Sequence, residues 1–270
     1  MSFDPNAAAA PDSGIFGLET NYKQSALILL PVPWEATTSY GGGTAQGPKA
    51  ILHASHQVDL FDLEAGRSYE AGIFLLDESK EVHKWNKEAK LLVKKNQKTR
   101  RVNALSSQLN SYVKTKTLKI IGDGKIPALI GGDHSTPFGA IEAVAQSHPS
   151  FGILHFDAHS DTRVAYQGYT HSHASIMYNV LENIPQVKKL VQVGIRDFCE
   201  EEYNYVHSLK NRVSVFFDAD YQKQMFTGTP WAHITKEIIA QLPDQIWISF
   251  DIDGLDPRFC PHTGTPVPGG

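Results

Sequence analysis

Three features of the chain predict an α/β fold of three layers, a mainly parallel central sheet with helices on both faces. From residue 126 onward, short apolar runs alternate with segments whose apolar residues recur at helical spacing, the rhythm of parallel strands joined by crossover helices. The apolar runs are nearly unbroken, as strands covered on both faces require. Clusters of Gly, Asp and His follow several of them directly, at the strand ends where open α/β sheets place their sites.

In chain order, residues 1–24 carry Pro5, Pro11, Gly14 and Gly17 without periodicity, which predicts an irregular N-terminal arm. Ser25–Leu30 (SALILL) reads as a buried strand stopped by Pro31 and Pro33. After a loop of small residues, Gly47-Pro48-Lys49-Ala50-Ile51-Leu52 puts proline in the first turn of a helix. Between Lys80 and Lys119 stand twelve Lys or Arg residues, with Val102, Leu105, Leu109 and Val113 near helical spacing, so an exposed amphipathic helix is expected. Then follow strand Ile126–Ile130, helix Phe138–Gln146, strand Phe151–Phe156, helix Ser175–Leu181 and strand Lys189–Ile195. Strand Val213–Phe217, a helix near Trp231–Gln241 and strand Ile246–Phe250 complete the series. No repeat or linker interrupts it, so a single domain is expected over residues 25–270.

Composition narrows the function classes. A chain of 270 residues with 41% hydrophobic residues has enough apolar material for one large core. Its net charge of −4 gives no global attraction to nucleic acid or anionic membranes. The basic stretch lacks interleaved aromatic residues, so it reads as a solvated helix face and no nucleic-acid partner is expected. Two cysteines, Cys199 and Cys260, imply no disulfide framework. No run is apolar enough for a signal peptide or a span, so a cytoplasmic protein without a membrane partner is expected.

The chemistry concentrates in three strand ends. Asp157-Ala158-His159-Ser160-Asp161 places potential ligands at every second position, which in extended backbone point to one side. Gly131-Gly132-Asp133-His134-Ser135 and Ser249-Phe250-Asp251-Ile252-Asp253-Gly254-Leu255-Asp256-Pro257 close two further strands. The imidazoles of His134 and His159 with the carboxylates of Asp157, Asp161, Asp251 and Asp253 suit a hard divalent ion such as Mn²⁺, and the lack of thiolates argues against structural zinc. Two divalent ions would balance the four carboxylates. An added hydroxide would leave the site slightly anionic, ready for a cationic substrate.

These motifs, GGDHS, DAHSD and SFDIDGLDP in this order and spacing, resemble those of the ureohydrolases, the family of arginase and agmatinase, with agmatinase the most similar member. The likeness runs from about Leu29 to the C-terminus. It implies an arginase-like α/β/α fold, two Mn²⁺ per chain, and hydrolysis of a guanidino C–N bond to urea and an amine. Carried over, His134, Asp157, Asp161 and Asp251 hold one ion and Asp157, His159, Asp251 and Asp253 the other, with Asp157 and Asp251 bridging. Asp133 and Asp256 are expected to fix loops. The resemblance also implies a homo-oligomer, trimeric or hexameric.

For catalysis, Asp161 is expected to steady the tetrahedral intermediate and His173 to protonate the leaving amine, since its place after DAHSD resembles that of the family's proton-shuttling histidine. His171 is its rival and a candidate substrate contact. DAHSDTR with SHAS resembles agmatinases, which implies a small cationic guanidino substrate, agmatine, converted to putrescine. Cys199 stands where an arginase pattern has an acidic residue. Arg163 is a second candidate contact, suited to a carboxylate if the substrate is a guanidino acid or formiminoglutamate. Glu202, in the run Glu200–Glu202, offers charge for the far ammonium of agmatine. The glycine-rich stretch Ser39–Thr44 resembles the family's N-terminal loop near the site.

The family pattern continues beyond Gly270 into a segment with a guanidinium-binding glutamate, the last strand and helices. The chain is therefore expected to be C-terminally incomplete, without that strand and those helices. Arginine, guanidinobutyrate and formiminoglutamate are the alternative substrates for the same metal site, and a metal-binding scaffold or pseudoenzyme is the non-enzymatic alternative.

Overall fold

The computed structural model describes residues 8–10 and 12–270, so Pro5 and Pro11 of the arm lie outside the described residues. The chain divides into two compact units, Met1–Ala36 with Gly43–Ala140 and Thr37–Gly42 with Ile141–Gly270. The third and last crossing, between Ala140 and Ile141, falls inside the helix Phe138–Ser147. A boundary within a regular helix leaves no break in composition.

The first unit contains β1 (Leu27–Val32), α1 (Gly47–Ser55), β2 (Ile73–Leu75), α2 (Lys80–Lys94), α3 (Thr99–Gly122) and β3 (Ile126–Gly131). Its sheet is parallel in the order β2-β1-β3, with β1 in register with β3 from Leu27↔Ile126 to Val32↔Gly131. Pro48 stands in the first turn of α1, where its missing N–H costs nothing. The expected amphipathic helix is two helices, parted where Asn96 and Lys98 take positive φ of 49° and 54°. Ser79 caps α2 by accepting the Val82 N–H. In α3 the stripe Val102, Leu105, Leu109 and Val113 is buried, as its spacing predicts. β2 has three residues, too few for a sequence pattern.

A buried carboxylate ties this unit together. Glu35 Oε2 accepts the N–H groups of Gly43 (2.6 Å) and Ala45 (2.9 Å), Oε1 pairs with Lys90, and the Glu35 N–H donates to Asn86 Oδ1 at 2.9 Å. Burial by itself would raise the Glu35 pKa, but these hydrogen bonds and the Lys90 charge outweigh it and hold the carboxyl below its ordinary value.

The second unit takes in α4 (Phe138–Ser147) from Ile141 on, then β4 (Phe151–Phe156), α5 (Ile176–Asn183), β5 (Val187–Ile195), α6 (Glu200–Ser208), β6 (Val213–Phe217), α7 (Asp218–Phe226), α8 (Trp231–Ile239) and β7 (Ile246–Phe250). Its sheet is parallel in the order β6-β5-β4-β7. Tyr221 of α7 and Ile234 and Ile238 of α8 pack with Val191 and Val193 of β5, joined by Leu154, Phe156 and Phe216. β7 forms one edge, and its Ile246, Ile248 and Phe250 are exposed. With all strands parallel, the loops after β4, β5 and β7 leave from one end of the sheet, which brings the segments beginning at Asp157, Arg196 and Asp251 together. Among the described residues no helix is long and apolar enough to cross a membrane.

Candidate metal centre

Asp157 is the first residue beyond β4, and both neighbouring strands hold its backbone. Its N–H donates to the Val193 carbonyl of β5 (3.2 Å), and the Ala158 carbonyl accepts the N–H groups of Arg196 (2.8 Å) and Asp197 (3.0 Å). On the other side, the Asp251 N–H donates to the Phe156 carbonyl at 2.8 Å. Gly254 completes the packing, since a Cβ there would stand 3.1 Å from the Asp157 nitrogen and 3.3 Å from its Cα.

Chain direction then changes sharply. Asp161 adopts the left-handed region (φ 55°), which aspartate tolerates better than most residues. Its carbonyl accepts the Met177 and Tyr178 N–H groups at the start of α5 (3.0 and 3.3 Å), supplying a partner for donors that a helix end leaves open.

Asp157, His159 and Asp253 offer ligand atoms that all lie within 4.8 Å of one another, and Asp157 and Asp161 meet the same limit. His159 Nδ1 is 3.4 Å from Asp157 Oδ1 and 3.3 Å from Asp253 Oδ2, and its Nε2 is 3.8 Å from Asp197 Oδ2. Burial alone would lower the His159 pKa, but the hydrogen bonds and charges of Asp157 and Asp253 lift it to about 11. Asp253 is itself raised, by burial first, with the Asp157 charge adding to it against His159. Two buried carboxylates facing one imidazole nitrogen favour positive charge there, as a ring proton or a metal ion, and the oxygen-and-imidazole donor set fits a divalent metal.

Asp251, expected to bridge, is absent from these clusters among the described residues. Its Oδ1 accepts the Asp253 N–H at 3.2 Å and caps the turn that follows. Loop Asp251–Leu255 is also clamped by Arg196, whose guanidinium donates to the carbonyls of Asp253 (2.8 Å), Gly254 (3.0 Å) and Leu255 (3.3 Å), and to Val267 (3.0 Å) and Gly194 (3.0 Å). His134 follows β3 in the first unit. There the Asp133 N–H donates to the Trp34 carbonyl (2.7 Å), and Asp133 Oδ1 accepts the Ser135 N–H (3.0 Å). This is the loop-fixing role expected of Asp133. A Cβ on Gly132 would lie 1.9 Å from the Trp34 oxygen, so only glycine fits.

The expected proton donor, His173, is held by its backbone: its N–H donates to Thr37 Oγ1 at 3.2 Å, and its Nδ1 lies 3.5 Å from the same oxygen and 3.4 Å from Ser172 Oγ. Burial pushes the His171 imidazole down, against the opposing charge of Glu142. Glu202, expected to meet a substrate ammonium, is 4% exposed and turned into the fold. It accepts the N–H groups of Thr162 (3.0 Å) and Cys199 (3.0 Å) and pairs with Arg163 at 3.4 Å. The Arg163 guanidinium also lies over the Tyr166 ring, 5.1 Å from its centroid. Sequence reasoning passed over Arg196, His155 and Gln192. The signal for the last two was a polar residue flanked by apolar neighbours in each of two strands.

A profile of the arginase family matches residues 25–270. The chain is 31% identical over 257 residues to the N(1)-aminopropylagmatine ureohydrolase of Synechocystis, covering 93% of this chain and 74% of that protein. This chain belongs to the arginase family. The N(1)-aminopropylagmatine ureohydrolase of Thermus thermophilus is 32% identical over 259 residues, with 95% and 77% covered. In fold, the arginase-family chain superposes on the agmatine ureohydrolase of Thermoplasma volcanium with a TM-score of 0.70 at 22% identity, covering 92% of this chain and 74% of that one. Arginase from Medicago truncatula gives 0.70 at 22% identity, with 92% and 72% covered. The parallel sheets with helices are thus the arginase-like α/β fold, and the family makes this protein a metal-dependent amidinohydrolase.

Proposed function

We propose that the protein hydrolyses the guanidino C–N bond of a linear guanidinoalkylamine, releasing urea and an amine, with two Mn²⁺ per chain. Agmatine, yielding putrescine, is the substrate proposed first. The Asp157–His159–Asp253 cluster carries the reading, because it is a buried donor set for a hard divalent ion in a chain with these relatives. When bound, the metal pair supplies a water acidified to hydroxide near neutral pH.

The protein's own groups do the rest. Asp157, His159 and Asp253 hold the cation site, with Asp161, Asp251 and, from the family pattern, His134 completing the proposed set. Asp161 would also steady the tetrahedral carbon, and His173 would deliver a proton to the leaving amine. The small residual negative charge of the loaded site selects a cation. Arg163 argues for an amine over a guanidino acid, since its charge is met by Glu202 and its plane lies over Tyr166. A trimeric or hexameric assembly is part of the proposal.

A second amine reading, N(1)-aminopropylagmatine, is favoured by the relatives in Synechocystis and Thermus thermophilus that carry that name. The test is urea release by the Mn²⁺-loaded protein on agmatine, N(1)-aminopropylagmatine, arginine and 4-guanidinobutyrate, with formamide assayed for formiminoglutamate. Urea from either amine supports the reading. Turnover of the acids alone overturns the substrate assignment, and two bound ions without turnover of any compound favours a metal-binding scaffold.

A further inference from the structure

A polar row crosses the second unit's sheet just below the metal cluster. Gln192 on β5, His155 on β4 and Ser249 on β7 are register partners. Gln192 and His155 are both 0% exposed and Ser249 is 5% exposed. An amide or imidazole buried without partners is destabilising, and an aliphatic residue would pack in these strands without that cost. Their hydrogen bonds therefore identify what the row does.

The bonds form a directed chain. Gln192 Nε2 is 2.8 Å from the Ser160 carbonyl, and a carbonyl only accepts, so this contact settles which end of the amide is the nitrogen. The same Nε2 lies 3.0 Å from His155 Nδ1. Its second hydrogen points at the ring, Nδ1 must accept, and the single proton of the neutral imidazole sits on Nε2. That Nε2 is 2.8 Å from Asp157 Oδ2 and donates to it. Asp157 Oδ1 accepts the His159 N–H at 2.7 Å. Both ring nitrogens of His155 are thus engaged, which removes it from the set of metal ligands despite its closeness to Asp157 and Asp161.

We infer that Gln192 and His155 are positioning residues that lock the Asp157 carboxylate in one orientation for the cation, with Gln192 selecting the His155 tautomer that donates. The inference rests on Asp157 being a metal ligand. Outer hydrogen bonds of this kind typically alter metal affinity 10- to 100-fold. They also make the DAHSD loop hold its own ligand, since the carbonyl that orients Gln192 belongs to Ser160, between His159 and Asp161.

Two measurements test it. Long-range ¹H–¹⁵N NMR of histidine-labelled, metal-free protein should place the His155 proton on Nε2, and Gln192→Met should abolish that single-tautomer pattern. Titration with Mn²⁺, followed by the EPR signal of the free ion, should give an affinity roughly 10- to 100-fold weaker for Gln192→Met and His155→Leu. His155→Gln, whose amide can donate near the position of Nε2, should recover most of the loss. Melting curves check that each variant folds. If Gln192→Met does not fold, the wild-type tautomer and the pair His155→Leu and His155→Gln decide. A wild-type proton on Nδ1, or wild-type Mn²⁺ affinity in the variant that lacks the relay, overturns the inference while leaving the metal site standing. Wild-type protein that binds no Mn²⁺ overturns the metal reading and the inference with it.

Discussion

Replacing Arg196 by methionine should loosen the loop that carries Asp253 and weaken metal binding without touching a ligand. The guanidinium donates to five backbone carbonyls, of which those of Asp253 (2.8 Å) and Gly254 (3.0 Å) lie in the turn after β7. A hydrogen bond from a charged donor contributes about 1.5–3 kcal/mol net. The bond to Leu255 is open to water and rehydrates when the arm is lost, and those to Gly194 and Val267 lie outside the turn. Counting only the two turn carbonyls, at the low end of that range, gives about 3 kcal/mol. With a urea m-value of about 2 kcal/mol/M, the unfolding midpoint should move down by about 1.5 M. Lysine brings a point charge without the planar fork, so Arg196→Lys should recover at most about half. Urea titration followed by circular dichroism reads the stability, and Mn²⁺ titration should show affinity falling about 10-fold or more in Arg196→Met as Asp253 loses its backbone support. A methionine variant with the wild-type midpoint and wild-type Mn²⁺ affinity would refute the assignment of Arg196 as the clamp.

Gly254→Ala places its Cβ 3.1 Å from the Asp157 nitrogen, so it should cost about 1–3 kcal/mol, read by thermal melting, and lower metal content along with stability. Because Glu35 is held below its ordinary value of 4.5, its contribution is present above that pH and is lost as the pH falls through the depressed folded value. Acid unfolding of the wild type should therefore steepen below about pH 4.5, and Glu35→Gln should be less stable at pH 7 and lack that component. His173→Asn should lower kcat by about 10²- to 10⁴-fold with Mn²⁺ retained. If only His171→Asn loses turnover, the proton donor is His171. Removing metal with a chelator should abolish urea release and lower the melting temperature, and added Mn²⁺ at about 100 times its Kd should restore about 2.7 kcal/mol.

The rhythm of strands and helices is written in the chain itself. Phe151–Phe156, Val213–Phe217 and Ile246–Phe250 form strands with the predicted ends, because short runs of β-branched and aromatic residues favour extended backbone, even in β7, whose Ile246, Ile248 and Phe250 are exposed. The donor types of a candidate metal site are equally legible, since Asp157, His159 and Asp253 meet in one cluster and their spacing after strand ends is a local property. Roles that depend on register and direction emerge only in the folded molecule. Glu202, offered by the sequence for the far ammonium of a substrate, accepts the Thr162 and Cys199 amides, and Thr162 lies forty residues away in the chain. Asp251 shares its strand end with Asp253, and one of its carboxylate oxygens also accepts the Asp253 N–H at 3.2 Å, a contact that the sequence does not show. Gln192 and His155 each look like an isolated polar residue in an apolar strand. Only the alignment of β4 beside β5 makes them a relay to Asp157, because a hydrogen bond needs two partners in place and the sequence shows them one at a time.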